Sequence, residues 1–285
     1  MKLHASRSPL VAAVLVAFAA VPVQAQQLEE VIVTAQKRAE SLQDVPISVS
    51  TLQGDRIQEA GIPDMAAMAD YVPNLYIAKA SVNTNIFMRG VGSGNNQGFE
   101  QSVGLYVDNI YMGRGRQYRA GFLDVERVEV LRGPQGTLFG KNTVAGAVNI
   151  ISASPNFDEG FSGQLAASLE SHDGKIFEGH IEGAITDNFA ARLALRSRET
   201  DGYVENTLLD DDEGQIEETG GRLTLAWQPT DQVYVNFKYS NMEFERTGAP
   251  SATQLYLDPA SREELFPNRS AVASSGYLIT DTFYP

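Results

Sequence analysis

The stretch Asp124–Pro155, which reads DVERVEVLRGPQGTLFGKNTVAGAVNIISASP, decides the fold. Its two end segments, residues 125–131 and 147–151, are rich in β-branched and other apolar residues, which predicts two strands. A glycine-rich loop lies between them. We expect its glycines to adopt positive φ and to allow close backbone approach, because glycine has no Cβ. The stretch therefore predicts two strands joined through a packed turn.

Two further motifs lie upstream, FMRGVG at residues 87–92 and SVGLYVDNIYMGR at residues 102–114. Together with the first stretch they resemble the plug domain of TonB-dependent outer-membrane receptors, over roughly residues 28–155. The resemblance implies an α+β plug domain followed by antiparallel strands of a transmembrane β-barrel. It also implies an energy-coupled importer of a scarce nutrient, and not an enzyme.

Four consecutive parts are predicted: a signal peptide (1–25), a TonB-box-like coupling segment (26–44), the plug (45–155) and the N-terminal portion of the barrel (156–285). In the first part, Lys2 and Arg7 precede an apolar stretch, and small residues around Ala25 suit signal peptidase. This layout is typical of a secretory signal and is too short to span a bilayer. An uncleaved anchor helix or a buried core helix is the alternative. Export to the outer membrane of a Gram-negative cell is expected.

The coupling segment contains a β-branched pentapeptide in polar surroundings. Such a segment can add itself as a strand to the exposed sheet edge of another protein. In the family this position holds the TonB box, so the resemblance implies contact with a TonB-type inner-membrane coupling protein. The residues concerned are Glu30, Val31, Ile32, Val33, Thr34 and Ala35. An ordinary first strand of the plug sheet is the alternative.

The plug region is predicted to alternate strands with short helices, as a compact unit of domain size does. Strands are expected at 45–52, 74–78, 85–89, 103–107 and 110–112, and helices at 54–60 and 63–71. Asp64 is expected to cap the second helix and Pro73 to end it soon afterwards. Asp108 and Asn109 are expected to form a turn between strands.

Arg89 and Arg132 each precede a glycine in a similar context. By resemblance, arginines at these positions pair with carboxylates of the barrel wall and lock the plug in place. A pair shielded from water is costly to break, because removing one partner leaves the other charge buried. The wall carboxylates are expected on strands beyond Pro285. The alternative is a bridge within the plug, for example to Glu126 or Glu129.

Two polar loops, residues 92–97 and 112–118, are predicted to form the apex that contacts the ligand. The candidate contacts are Gln97, Arg114, Arg116 and Tyr118, because cations and an aromatic ring suit an anionic chelate. The resemblance implies a ferric siderophore or other iron complex as cargo. A saccharide or cobalamin is the alternative cargo, and packing between plug and barrel is the alternative role of these residues.

From residue 161 onward the pattern changes to five alternating segments, 161–170, 177–185, 189–198, 222–227 and 233–239. Segments of about ten residues, apolar on one side and polar on the other, are typical of barrel strands between lipid and lumen. Short turns at 186–188 and 229–231 fall at alternate connections, as periplasmic turns do. Residues 200–218 are expected to form an outer loop. A soluble β-sandwich is the alternative, since its strands alternate as well.

Five strands cannot close a barrel, because an open edge in lipid leaves amides unpaired and closure takes at least about eight strands. The chain is therefore expected to be incomplete, since TonB-dependent transporters close with about 22 strands. A truncated gene product is one alternative. The others are a signalling or adhesion protein that uses the plug as a binding module, and a soluble carbohydrate-binding β protein.

Composition narrows the classes of function. The 285 residues contain no cysteine and carry a net charge of −14. Residues 1–155 hold 13 acidic and 13 basic groups, whereas residues 156–285 hold 23 and 9. An acidic balance argues against nucleic-acid binding, which needs a basic stripe. The local basic cluster at residues 111–141 is assigned to buried pairing or to contact with an anionic ligand.

No cofactor, metal or catalytic group is predicted. The glycine-rich loop fails the P-loop pattern, since Gln135 and Asn142 stand where a glycine and a hydroxyl residue are required. An EF-hand loop with Gly214 in sixth place would need an acid where Leu209 stands. The three histidines are scattered, and the G-x-S-x-G motif of serine hydrolases does not occur.

Overall fold

The computed structural model describes residues 32–34, 37–38, 40–79, 84–94, 100–158, 160–202, 204–206 and 211–247. The predicted signal peptide lies outside the described residues, as do Glu30, Val31, Ala35, Gln97 and Leu209. No helix within the described ranges is long and apolar enough to cross a membrane.

The N-terminal part up to residue 152 combines short strands with single-turn helices. Its strands are β1 (Ile32–Val33), β2 (Glu40–Ser41), β3 (Ser48–Gln53), β4 (Leu75–Lys79), β5 (Thr84–Met88), β6 (Val91–Gly92), β7 (Val103–Val107), β8 (Ile110–Met112), β9 (Val125–Arg132) and β10 (Gly146–Ser152). Its α-helices are α1 (Gly54–Glu59), α2 (Met65–Met68) and α3 (Gly136–Phe139), with 3-10 turns at Ala69–Tyr71 and Gly115–Arg119. The predicted α+β character is confirmed.

The stretch that decides the fold supplies two central strands of a five-stranded sheet with the order β3-β9-β10-β7-β8. Strand β10 pairs antiparallel with β9 and parallel with β7. In the loop between β9 and β10, Gly133 and Gly140 have φ of 107° and 80°. At the first residue of β10, a Cβ on Gly146 would lie 2.2 Å from Met88 Sδ. Both predicted uses of glycine, positive φ and close approach, are confirmed.

The sheet buries both of its faces. One face packs on the helices and on β4 and β5, in a cluster that includes Met65, Met68, Ile86, Val128, Val130 and Val148. The other face carries Tyr106, Leu131 and Ala147 and is covered by Val33, Val45 and Phe139. The N-terminal segment therefore forms part of the second core.

Local signals in the plug act as predicted. The Asp64 carboxylate caps α2, accepting hydrogen bonds from the N–H groups of Ala66 and Ala67 at 2.9 and 3.0 Å. Asp108 and Asn109 turn the chain between β7 and β8 with φ of 48° and 68°, a conformation that Asp and Asn tolerate. The predicted helix at 63–71 divides into α2 and the 3-10 turn before Pro73.

The C-terminal part is a five-stranded antiparallel sheet, here called the wall sheet. Its strands, in spatial order, are β11 (Ser162–Leu169), β12 (Lys175–Thr186), β13 (Phe189–Thr200), β16 (Ile216–Thr230) and β17 (Val233–Arg246). A separate hairpin joins β14 (Val204–Asn206) to β15 (Asp211–Glu213). The predicted outer loop at 200–218 is therefore partly wrong, because β16 starts at Ile216 and the hairpin lies before it.

The two faces of the wall sheet differ in chemistry. The outward face is apolar and exposed, as at Leu165, Leu195 and Phe237, which are 91%, 59% and 56% exposed. The inward face is polar, with Arg192, Arg196, Arg198 and Glu218 buried against the plug. A β-sandwich would bury the apolar face and expose the polar one. The arrangement is thus the reverse of a sandwich and agrees with strands of a barrel around a plug.

Candidate functional site

Buried and partly buried ion pairs join the plug to the inner face of the wall sheet. The plug contributes carboxylates, the wall sheet contributes cations, and the partners are far apart in sequence. The pairs are Asp124 with Arg192, Asp64 with Arg198, and Asp108 with Lys238. Between them a wall-sheet arginine, Arg196, binds the plug backbone.

Asp124 and Arg192 form the most enclosed of these pairs. Arg192 Nη2 lies 2.6 Å from Asp124 Oδ1, and Arg192 Nε lies 3.0 Å from Oδ2. The two side chains are only 5% and 9% exposed, and Arg192 Nη1 lies 2.9 Å from Glu182. Arg222 adds a contact by donating to the Leu123 carbonyl at 2.7 Å. Two-point pairing away from water fixes both distance and angle between plug and wall.

Arg196 binds two wall-sheet carboxylates and one plug carbonyl. Its Nε lies 3.0 Å from Glu218 and its Nη1 lies 2.6 Å from Glu178. Its Nη2 donates to the Pro63 carbonyl at 3.2 Å. Because each of the three guanidinium nitrogens has an acceptor, the buried charge is compensated. The contact with Pro63 also holds this part of the plug against the wall sheet.

Glu218 completes this arrangement from β16. Its Oε2 accepts a hydrogen bond from the Gly121 N–H at 3.2 Å. A Cβ on Gly121 would lie 2.3 Å from Glu218 Oε1, so a side chain here would displace the carboxylate. Glycine at position 121 is thus required by close approach of the wall, and not by its own backbone angles.

Asp64 combines a structural and an interface role. It caps α2, and its Oδ2 lies 2.9 Å from Lys79 Nζ and 3.6 Å from Arg198 Nη1. Burial acts to raise the pKa of this carboxyl, but the charge and hydrogen bond of Lys79, the Ala67 N–H and Arg198 outweigh it. The pKa of Asp64 is therefore lowered below the ordinary value of 3.8. The carboxylate is therefore ionised at neutral pH and can pair with Arg198 of the wall sheet.

Lys238 contacts the end of the central sheet. Its Nζ lies 3.2 Å from Asp108 Oδ1 and donates to the carbonyl and hydroxyl oxygens of Ser152 at 3.0 and 2.7 Å. Ser152 Oγ in turn donates to Asp108 Oδ2 at 2.6 Å. These contacts are only partly buried, so they are weaker than those at Asp124.

The two predicted plug-locking arginines lie close to each other. Arg89 is exposed, and its Nη1 lies 3.5 Å from the Cβ position of Gly133, the residue after Arg132. Arg132 Nη1 donates to the Pro73 carbonyl at 3.5 Å. Neither arginine has an ion pair within the described ranges. Glu126 and Glu129, the alternative partners within the plug, form ion pairs with Arg127. The alternative prediction that they bridge to Arg132 is therefore wrong.

The predicted ligand contacts on the 112–118 loop differ in exposure. Arg114 and Arg116 are exposed, at the start and inside of the 3-10 turn. Tyr118 is 2% exposed, and its hydroxyl donates to the Val103 carbonyl at 3.1 Å. Burial raises the pKa of this hydroxyl. Tyr118 thus holds the loop onto the plug core, away from the surface.

A cavity of about 700 Å³ lies between this loop and the last two wall strands. Its polar lining comes from both sides, namely Arg116, Gln117 and Arg119 of the plug with Arg222, Ser240 and Arg246 of the wall sheet. Burial, Arg246 and Arg116 together lower the pKa of Arg119. Several guanidinium groups sharing one cavity favour an anionic occupant. The sequence identified Arg116 but not the wall-sheet contributors, whose proximity depends on the fold.

The described residues of the coupling segment are docked on the plug. Strand β1 pairs with β2 in a separate two-stranded sheet and not with the central sheet. Val33 is fully buried, and the Thr34 N–H donates to Glu129 Oε1 at 2.7 Å. The alternative of an ordinary first strand of the plug sheet is therefore wrong.

The fold and its interface define a class of protein, a plug domain seated on the inner face of barrel strands. Residues 41–147 match the TonB-dependent Receptor Plug Domain family. The chain is 28% identical over 216 residues to the pesticin receptor of Yersinia pestis, covering 73% of this chain and 32% of that protein. It is 25% identical over 183 residues to the vitamin B12 transporter BtuB of Vibrio vulnificus, covering 63% and 29%.

Among solved structures, the ferric yersiniabactin uptake receptor FyuA from Yersinia pestis matches with a TM-score of 0.64 and 27% identity, covering 69% of this chain and 31% of that one. Residues 41–147 are thus a TonB-dependent receptor plug domain, and with the antiparallel strands that follow, the chain resembles TonB-dependent receptors over 69% of its length. It spans about a third of the length of the curated relatives it matches, 32% in the case of the pesticin receptor.

Proposed function

We propose that this protein serves TonB-dependent uptake of a bulky nutrient across the outer membrane of a Gram-negative cell, with a ferric siderophore or other iron complex as cargo. The observation that carries the proposal is a plug of the receptor family held on barrel strands by compensated, buried ion pairs. Such contacts hold firmly at rest, yet an applied force that separates partners can break them one at a time. Transport, and not catalysis, is the proposed activity.

The proposal assigns each part a task. Residues 1–25 direct export, residues 26–44 couple to a TonB-type inner-membrane protein, residues 45–155 form the plug, and residues 156–285 begin the barrel in outer-membrane lipid. Coupling uses Glu30, Val31, Ile32, Val33, Thr34 and Ala35. Arg89 and Arg132 present neighbouring cations to wall carboxylates of strands outside this chain. These assignments rest on the family resemblance, and for the plug lock also on the exposure of Arg89 beside the half-buried Arg132.

An anionic iron chelate is favoured as cargo by the charges near the ligand loop. Arg114 and Arg116 are exposed, and the adjoining cavity is lined by further arginines of plug and wall. FyuA, at 27% identity, is described as a receptor for ferric yersiniabactin uptake. We assign ligand contact to Gln97, Arg114 and Arg116, and support of the 112–118 loop to Tyr118.

The deciding experiment measures ligand binding and uptake separately. Purified protein and cells lacking the native gene are tested with a panel of ⁵⁵Fe-loaded siderophores of different charge. Arg114→Ala combined with Arg116→Ala is expected to weaken binding of the preferred anionic chelate at least tenfold, because each lost charge-assisted hydrogen bond is worth about 1.5–3 kcal/mol. The matched control is Arg38→Ala with Arg56→Ala, which removes two arginines whose side chains are 77% and 69% exposed. Equal affinity in both double variants would remove Arg114 and Arg116 from the site.

Coupling is tested in the same cells. Ile32→Pro removes a main-chain donor from the segment that is proposed to add a strand to its partner. Uptake is expected to fall to background while ligand binding is retained, and Ile32→Val is the control. Uptake that survives Ile32→Pro would argue against coupling through this segment, whereas ligand binding without uptake in the unaltered protein would favour a non-transporting binding protein.

Cobalamin is the second candidate cargo, because the vitamin B12 transporter BtuB of Vibrio vulnificus is among the relatives at 25% identity. Cobalamin is a neutral or weakly charged ligand in comparison with a ferric chelate, so its binding should not depend on Arg114 and Arg116. Uptake of labelled cyanocobalamin, together with failure of every ferric siderophore in the panel, would favour this candidate.

A further inference from the structure

A buried carboxylate lies beneath the coupling segment. Glu129 is fully buried in the middle of β9, on the sheet face that also carries Leu131. An ionised carboxylate in such a position requires donors. The structure provides them from Arg127 on the same strand and from Thr34 on the coupling segment.

Thr34 binds Glu129 with both its backbone and its side chain. The Thr34 N–H lies 2.7 Å from Glu129 Oε1, and the hydroxyl lies 3.1 Å from the same oxygen. Arg127 Nε lies 2.9 Å from this oxygen as well. Next to Thr34, Val33 is fully buried in the cluster of Tyr106 and Leu131. The coupling segment is thus attached by one polar anchor and one apolar anchor.

The carboxylate belongs to a row of polar residues across the sheet. Thr51, Glu129, Asn149 and Tyr106 are register partners on β3, β9, β10 and β7, so their side chains share one face. Asn149 is fully buried, and neither its Oδ1 nor its Nδ2 has a hydrogen-bond partner within the described residues. The Thr51 hydroxyl is likewise unpartnered there. Buried polar atoms without partners destabilise the closed arrangement relative to one that opens to water.

We propose that Glu129 is a positioning residue that holds the coupling segment on the plug at rest and competes with the coupling partner for the Thr34 N–H. A partner that adds a strand needs main-chain N–H groups of the segment. Since Glu129 accepts the bond from the Thr34 N–H, the docked segment does not offer this donor to a partner. Binding by strand addition therefore requires withdrawal of Thr34 from Glu129. The identity of the partner rests on the proposed function, whereas the docking itself does not.

Asn149 acts in the opposite direction to Glu129. Glu129 stabilises the docked state through charge-assisted hydrogen bonds. We expect Asn149, its register partner on β10, to favour release, because the amide has no hydrogen-bond partner among the described residues and would gain one from water that reaches this face.

Release of the segment can be measured directly, because the chain contains no cysteine. A single Val33→Cys reporter, at a fully buried position, is labelled by N-ethylmaleimide in the purified protein, and its rate reports opening. Adding Glu129→Gln is expected to raise the rate about tenfold, as loss of one charge-assisted hydrogen bond would. Thr34→Val, which keeps the N–H, is expected to raise it less. Asn149→Leu is expected to lower it.

Two controls separate release from general damage. Glu126→Gln alters a neighbouring carboxylate that also pairs with Arg127 but does not contact Thr34, and it should leave the rate unchanged. A second reporter, Met68→Cys, lies in the other core. Its labelling rate should be equally slow with and without Glu129→Gln. Labelling of Val33→Cys that is no faster with Glu129→Gln than with Glu126→Gln would overturn the proposal. So would equal acceleration at both reporters.

A binding assay distinguishes this inference from the proposed function. The periplasmic domain of the TonB-type coupling protein is titrated onto the protein with and without Glu129→Gln. About tenfold tighter binding to the variant supports competition for the Thr34 N–H. If labelling accelerates but neither form binds the domain, docking by Glu129 stands and TonB coupling fails. If the domain binds both forms equally, the competition is overturned while coupling stands.

Discussion

Arg192 on wall strand β13 and Asp124, directly before plug strand β9, form a buried ion pair, with 2.6 Å between Nη2 and Oδ1 and a sequence separation of 68. Its polarity recurs at Asp64 with Arg198 and at Asp108 with Lys238. The plug supplies anions and the wall sheet supplies cations at each of these pairs. Plug anions thus face wall-sheet cations across the interface, and single substitutions can test how much each pair stabilises the protein.

Removing Asp124 should cost more than removing an exposed acid, because Arg192 would remain buried. Asp124→Ala and Arg192→Ala are each expected to lower the free energy of unfolding by about 3 kcal/mol or more. In a double-mutant cycle measured by urea unfolding, the coupling energy should reach about 1–3 kcal/mol. The control cycle is Arg56 with Glu59, an exposed pair one helical turn apart, where coupling should stay below about 0.5 kcal/mol. Equal coupling in the two cycles would show that the buried pair does not hold plug to wall.

Gly121→Ala tests the close approach of the wall to the plug. The added Cβ would lie 2.3 Å from Glu218 Oε1, so Glu218 must move away from the Gly121 N–H or from Arg196. We expect a loss of about 1–3 kcal/mol, which thermal unfolding would report as a lower Tm. Gly136→Ala is the matched control, since no atom lies within 4 Å of its Cβ position. A Tm equal to that of the control would contradict the tight contact.

Asp64 predicts a defined pH dependence of stability. Because its pKa is lowered in the folded protein, the unfolded chain binds a proton at higher pH than the folded one. The stabilisation is complete above the ordinary value of 3.8 and is lost as pH falls through the lowered folded pKa. Asp64→Asn keeps an oxygen to cap α2 but cannot titrate. Unfolding measured from neutral to acidic pH should therefore show a flatter acid limb in Asp64→Asn, and identical limbs would exclude Asp64 as a contributor.

Much of the plug could be predicted from sequence because its signals are local. The cap at Asp64, the turn at Asp108 and the glycine-rich loop each depend on residues within one turn or hairpin. Alternation predicts the wall strands, although β16 (Ile216–Thr230) is longer than the predicted segment at 222–227. Gly220 and Gly221 interrupt its alternation, yet both pair with β13 and β17 in the sheet.

The charged interface could not be predicted in the same way, because it depends on which side chains meet across the fold. The family resemblance predicts wall partners for Arg89 and Arg132, and these partners remain a prediction. The signal for the observed pairs was nevertheless present. Arg192, Arg196 and Arg198 recur on one face of a strand, and arginines on a buried face require carboxylates. Sequence alone does not reveal that two of those carboxylates, Asp64 and Asp124, belong to the plug, or that Asp108 pairs with Lys238. All three aspartates also fit ordinary cap and turn positions.

Leu195→Arg tests whether the outward face of the wall sheet meets lipid. Leu195 is 59% exposed and lies opposite Gly179 and Gly221 in the neighbouring strands, so an arginine there meets no steric obstacle from its cross-strand partners. An arginine on the lipid side of a barrel costs about 2–4 kcal/mol near the bilayer midplane. We therefore expect a reduced folded fraction when the protein is refolded into lipid vesicles and read out by electrophoretic mobility. Gln164→Arg is the control, because Gln164 faces inward and donates to Gln58 of the plug at 3.3 Å. If both variants fold into vesicles as well as the parent, the exposed apolar face is covered by something other than lipid.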